Sequence, residues 1–188
     1  MKRHSQRRYT VGEYFAIEES SEIKHEYYDG AIFAMAGASI NHNRIVRNVL
    51  GVLQVSLKNS NCEAFGGDLR VHTPSGLYTY PDAMVICGAI QLVEAPLDTV
   101  ANPSLIVEVL SDSTAEYDRG DKFLLYQPIA TLRDYILIEQ NKVAVDHYAR
   151  SAEDVWILHS HSELSETVMT AAAPATLLLA DVYASVFS

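Results

Sequence analysis

The stretch from Ser104 to Lys122, SLIVEVLSDSTAEYDRGDK, constrains the fold more than any other. Leu105, Ile106, Val107, Val109 and Leu110 form an apolar, β-branched run with no clear polar face. Such a run suits a central strand covered on both sides. Glu108 sits in the middle of it. An isolated carboxylate there costs roughly several kcal/mol unless it meets a cation or a set of donors. Glu108 is therefore either protonated or met by positive charge, and a divalent metal is the simplest partner.

A second acid falls near it. Tyr80-Pro81-Asp82 opens another apolar strand, Ala83 to Cys87. Proline is tolerated at a strand's first residue, which puts Asp82 at the strand mouth. Past Glu108 the chain turns through Ser111-Asp112-Ser113-Thr114, a helix-start signal, and the helix that follows carries Lys122. An Asp, a Glu and a Lys at the end of a sheet form the constellation of metal-dependent phosphodiester cleavage. The two acids bind Mg²⁺, and the lysine positions the attacking water or stabilises charge on the phosphate. Read alone, each residue has a plainer explanation. Backbone amides could satisfy Asp82, and a tyrosine or arginine could hold Glu108. Lys122 could form a surface pair with Asp118 at i, i+4.

A length of 188 residues fits one domain, 1–188, with a real core, and 48% apolar residues fit a globular chain. No apolar run approaches the ~20 residues of a membrane span. The start, MKRHSQRRYT, is basic but leads into no apolar segment, so no signal peptide is expected and a cytoplasmic protein is. Cys62 and Cys87 could face each other across antiparallel strands, but two reduced core thiols are expected in a cytosolic setting. No Cys/His spacing supports a structural zinc; His159 and His161 only alternate along an expected strand. The formal charge is −10 and the pI about 5.0. That balance argues against tight non-specific DNA binding, though site metal and a local basic patch leave a nuclease open.

In chain order, Thr10-Val11-Gly12-Glu13 is a capping-box pattern ahead of a helix over 11–19. Ile23 to Ala36 predicts a hairpin turning at Asp29-Gly30, with Glu26 on its first strand. Ser39 to His42 opens a helix over 42–58 whose Ile45, Val46, Val49, Leu50, Leu53 and Leu57 pack on the sheet. Its Arg44, Arg47 and Lys58 suit a solvated face, and His42 an ordinary helix start that could face a site. Strands are expected over 62–72 and 78–87, joined by Thr73-Pro74-Ser75-Gly76. An irregular stretch, 88–103, precedes the Glu108 strand and a helix over 114–127. Strands over 133–139 and 142–149 hairpin through Gln140-Asn141. Further strands at 155–159 and 167–169 extend the antiparallel part, and Asp181 caps a last short helix.

This order, helix, three strands, helix, strand, with the Asp82 and Glu108 pair, resembles the PD-(D/E)xK superfamily of restriction-endonuclease-like proteins. The resemblance implies an α/β (α+β) fold: an αβββαβ core at about 40–140, its mixed sheet flanked by helices. An N-terminal helix and hairpin and C-terminal antiparallel strands are added to that core. More narrowly, almost the whole chain resembles the Uma-type (Uma-two) family of short, stand-alone bacterial endonuclease-like proteins. The matching residues are Glu26, Asp29-Gly30, His42, Pro81-Asp82 and Val107 to Ser111. They continue through Ser113-Thr114, Asp118, Lys122, Tyr126 and the DYILI strand. One feature departs from the superfamily pattern: the lysine expected two residues after the Glu is Leu110 here. The Uma-type family places that lysine on the following helix, which carries the role to Lys122.

The resemblance implies a DNA endonuclease with Mg²⁺ or Mn²⁺ held by Asp82, Glu108 and the Val109 carbonyl. Lys122 would orient water and support developing charge, Glu26 would add an outer or second-metal carboxylate, and His42 would assist at the rim. Alanine at Asp82 or Glu108 is expected to abolish activity with little loss of stability, because it removes a like charge. The resemblance suggests a homodimer, and the hairpin and late strands have edges to cover. A catalytically inactive nuclease-fold dimer, acting as a binding or regulatory module, is the alternative.

Overall fold

A computed structural model describes residues 7–35 and 37–187. The first six residues of the basic start, and Ala36 of the expected hairpin, lie outside the described residues. Helix α1 (Val11–Ser20) carries the expected capping box: Thr10 Oγ1 accepts from the Glu13 amide at 3.2 Å, and Glu13 accepts from the Thr10 amide at 2.8 Å. Strands β1 (His25–Tyr28) and β2 (Ala31–Ala34) form the hairpin. Asp29 (φ 44°) and Gly30 (φ 80°) are both left-handed, as a two-residue hairpin turn requires. Helix α2 (Ile40–Ser56) starts where Ser39 Oγ accepts from the His42 amide at 3.1 Å.

The expected strand over 62–72 splits into β3 (Cys62–Gly66) and β4 (Arg70–His72). The next splits into β5 (Tyr78–Thr79) and β6 (Ala83–Cys87). Pro81 stands in the gap, where it has no N–H to give to a ladder. The halves serve different sheets. Strand β7 (Thr99–Val100) forms inside the stretch expected to be irregular and runs parallel to β4. Strand β8 (Leu105–Leu110) carries Glu108. The helix over 114–127 breaks at Gly120 into α3 (Ala115–Arg119) and α4 (Asp121–Tyr126). A β-carbon at Gly120 would stand 3.2 Å from the Glu116 carbonyl oxygen, so the bend suits glycine. Then follow β9 (Asp134–Glu139), β10 (Val145–Arg150) and β11 (Trp156–His161). Strands β12 (Thr167–Met169) and β13 (Thr176–Leu178) pair with each other rather than extending the larger sheet as expected. Helix α5 (Leu179–Val182) begins before Asp181, which caps nothing.

The six-stranded sheet runs β11-β10-β9-β8-β6-β3, mixed because β8 and β9 are parallel. The five-stranded sheet runs β2-β1-β5-β4-β7. All six residues of β8 are buried. Leu105, Val107 and Val109 face Ile45, Val49 and Leu53 of α2. Ile106 and Leu110 share the other face with Phe123 and Tyr126 of α4. Each such apolar side chain adds roughly 1.5–3 kcal/mol by leaving water. This two-sided cover is the mixed α+β, helix-flanked arrangement expected from sequence. Strand β3 pairs with β6 so that Cys62 stands opposite Cys87. The two are joined by a disulfide, where reduced thiols were the expectation: the antiparallel register brings them together.

One buried acid serves packing alone. Asp134 accepts from His147 Nε2 at 2.7 Å and from the amides of Ala171 and Ala172 at 3.0 and 2.7 Å. Asp134→Ala orphans those donors and is expected to cost roughly 3–5 kcal/mol, by analogy with a broken buried pair. A urea-denaturation midpoint unchanged in that variant would refute the assignment.

Candidate active site

The antiparallel register of β6 on β8 pairs Ala83 with Val107, Met84 with Ile106 and Val85 with Leu105. Continued by one residue, it sets Asp82 opposite Glu108. Both side chains then fall on the sheet face that Met84 and Ile106 share, toward α4. The ladder stops at Ala83, and the Asp82 side chain takes over. Its Oδ2 accepts from the Val109 amide at 2.7 Å. The N–H and C=O of one strand residue point to the same edge, so the Val109 carbonyl faces the Asp82 edge too. From the first turn of α2, His42 Nε2 lies 3.1 Å from Asp82 Oδ2.

Glu108 turns toward α4. Tyr126 Oη donates to Glu108 Oε1 at 2.9 Å, and Lys122 Nζ lies 3.0 Å from the same oxygen. Lys122 also meets Glu26 at 2.9 Å and Asp118 at 3.4 Å. Glu26 reaches in from β1 and accepts a short hydrogen bond from Thr79 Oγ1 on β5. One ammonium thus gathers carboxylates from a strand of each sheet and from the helix before it. Lys122 is only 4% exposed, which excludes the surface-pair reading.

Three carboxylates around one ammonium leave excess negative charge in a dry place. Burial pushes the Glu108 carboxyl up to about 8, against the pull of Lys122. Asp118 is raised by burial in the same way. Burial would lower Lys122, but Glu108, Tyr126, Glu26 and Asp118 outweigh it and hold the ammonium charged. Asp82 is the open member: its side chain is 24% exposed, against 5% for that of Glu108. The cluster lines a cleft of about 990 Å³.

The structure therefore brings together Asp82, Glu108, Lys122, Glu26 and His42. The Val109 amide is tied to Asp82, so Asp82→Ala orphans an N–H and costs roughly 1–3 kcal/mol, contrary to the expected small loss. Glu108→Ala likewise orphans the Tyr126 hydroxyl and removes the Lys122 contact, which sets a loss of stability against the relief of repulsion from Asp118 and Asp82. Sequence reasoning named Asp118 as a surface partner of Lys122 and Tyr126 as a family-matching residue, but placed neither in the site. Their spacing around Lys122, at i−4 and i+4, was the available signal: three polar side chains on one helix face.

Among the described residues no three His, Cys, Asp or Glu side chains form a ready-made metal group. The set still suits a hard cation such as Mg²⁺. Two carboxylates and a backbone carbonyl are oxygen donors, and Mg²⁺ keeps several waters and takes few protein ligands. The uncompensated acid at Glu108 is what such an ion would neutralise.

The chain matches the Uma2 family, described as "Putative restriction endonuclease", over residues 11–180. It is 39% identical over 150 residues to "Uncharacterized protein sll1609" of Synechocystis sp., covering 79% of this chain and 85% of that one. It is 37% identical over 147 residues to "Uncharacterized protein slr1290" of the same organism, covering 78% and 76%. Among solved structures it resembles a "putative nuclease belonging to DUF820" from Anabaena variabilis, with a TM-score of 0.73 and 19% identity. That match covers 89% of this chain and 93% of the other, and it supports the restriction-endonuclease-like fold. The family match spans both sheets and every residue of the acid–lysine cluster, and on it the chain belongs to the Uma2 family of nuclease-like proteins.

Proposed function

We propose that this protein is a metal-dependent endonuclease that hydrolyses phosphodiester bonds in DNA. The carrying observation is the cross-strand pair Asp82 and Glu108, with Lys122 drawn to 3.0 Å from Glu108 at the floor of a cleft. Asp82, Glu108 and the Val109 carbonyl would hold Mg²⁺ or Mn²⁺. Bound there, the ion would polarise a phosphoryl oxygen and lower the pKa of a water.

The protein's own groups divide the remaining work. Lys122, held charged by its carboxylates, would exchange its longest contact, that to Asp118 at 3.4 Å, for the attacking water, and its charge would support the negative charge that develops. An ammonium has no free lone pair, so Lys122 cannot be the base. Glu26 fixes the ammonium from the five-stranded sheet, and Asp118 from one helical turn away. His42, with Nε2 3.1 Å from Asp82 Oδ2, would help to set the orientation of that carboxylate. Tyr126 does the same for Glu108. The whole chain would act as a single domain, as a homodimer, in the cytoplasm.

Calorimetric titration of Mn²⁺ into wild type should give heat that the Asp82→Ala, Glu108→Ala double variant lacks. DNA cleavage should fall at least ~10²-fold in that variant. Metal binding without cleavage of any nucleic acid would favour the inactive binding module instead. No metal binding in wild type would end the catalytic reading.

The proton on Glu108 sets a second expectation. A protonated carboxyl must release its proton to ligate, so metal affinity rises with pH. The rise should approach tenfold per pH unit below about 8 and flatten above it. Glu108→Gln should bind weakly with no such slope. Calorimetry in two buffers of different ionisation heat would count the released proton; none released at pH 7 would contradict the assignment.

A further inference from the structure

The β1–β2 hairpin has two faces with different fates. Tyr27 pairs with Ile32, and this face turns to α1, where the Tyr27 ring lies 5.2 Å from Tyr14 and 6.1 Å from Tyr78. On the other face Glu26 pairs with Phe33. Directly opposed residues share a face with β-carbons roughly 5 Å apart. Tyr28, two residues from Glu26, joins them. Glu26 is buried against Lys122, yet Phe33 is 55% exposed and Tyr28 36%. Both rings line the cleft that holds Asp82, Glu108 and Lys122, and α4 adds Leu124, 60% exposed, and Leu125.

We infer that this wall is a stacking subsite for an unpaired DNA base beside the phosphate to be cut. The inference rests on the nuclease reading and names its substrate class. Aromatic rings left in water next to a charged cluster suit a flat partner, and base-on-ring stacking needs no sequence. With a formal charge of −10, phosphate attraction supplies little affinity, so short-range stacking must supply more. Glu108 and Lys122 are each 4% exposed, so they lie at the floor of the cleft and not at its rim. A base already unpaired enters such a cleft at little cost. A second copy of the chain seated on Phe33 would close the cleft that the phosphodiester must enter.

Equilibrium binding in Ca²⁺, with 2-aminopurine placed in a single-stranded DNA oligonucleotide, in its duplex and in the matching RNA, tests this. The single strand should bind at least about tenfold more tightly than the duplex, with its fluorescence quenched. Phe33→Ala should weaken binding roughly 5- to 100-fold and abolish the quench, while Phe33→Trp keeps both. The melting temperature of Phe33→Ala should stay at the wild-type value, because the ring is exposed. Equal binding of duplex, or an unchanged affinity and quench in Phe33→Ala, would overturn the subsite. Tighter binding of RNA would overturn the assignment to DNA. Parallel cleavage assays in Mn²⁺ separate the two readings: duplex cut as readily as single strand removes the subsite alone. Phe33-dependent stacking with no cleavage removes the nuclease alone.

Discussion

A single ammonium holds the centre of this structure together. Lys122 is almost fully buried and meets Glu26, Glu108 and Asp118, one from each sheet and one from its own helical neighbourhood. Without it three carboxylates would share a dry pocket with no cation among them, an arrangement that proteins avoid by neutralising the groups. With it the acids are only partly compensated, and burial holds a proton on Glu108. The cluster is therefore neither a structural ion pair at rest nor an open chelate. It is a partly compensated site in which a further cation would take the place of the Glu108 proton.

Asp82 at the mouth of β6 and Glu108 within β8 owe their placement to backbone hydrogen bonding. Asp82 is set opposite Glu108 by the register of β6 on β8, and Pro81 ends the ladder where the two meet. The Val109 amide, freed from a strand partner, is taken by the Asp82 side chain. Fold and site thus share atoms: the group that terminates a sheet edge is the group that faces the cleft.

Much of this was legible in the sequence. The all-apolar strand interrupted by Glu108, the Pro81-Asp82 strand mouth and the Asp29-Gly30 turn are local signals with local causes, and each stands where its chemistry puts it. The flanking helices followed from periodicity and capping residues. What escaped was set at a distance. Gly66-Gly67-Asp68 and Pro81-Asp82 interrupt the runs over 62–72 and 78–87, but nothing local tells that the two halves of each pair into different sheets. The burial of Lys122 depends on Glu26, which approaches from a hairpin on the other sheet. The pairing of Cys62 with Cys87 depends on a register that composition does not encode. Asp118 and Tyr126 were visible as a helical stripe, but a polar stripe reads as solvated until its burial is known.

The division of the cluster between two sheets bears on how the chain reaches its folded state. Glu26 and Lys122 belong to opposite halves of the chain, and their contact closes a long loop of sequence. Contacts of that kind form late, after local elements have collapsed, because their closure entropy is met only when much else is in place. Until the hairpin docks, Lys122 lacks one of its anchors and the cleft lacks the wall that carries Phe33. The acid–lysine arrangement is thus complete only once two segments far apart in the chain have docked, and a molecule short of that docking does not present it.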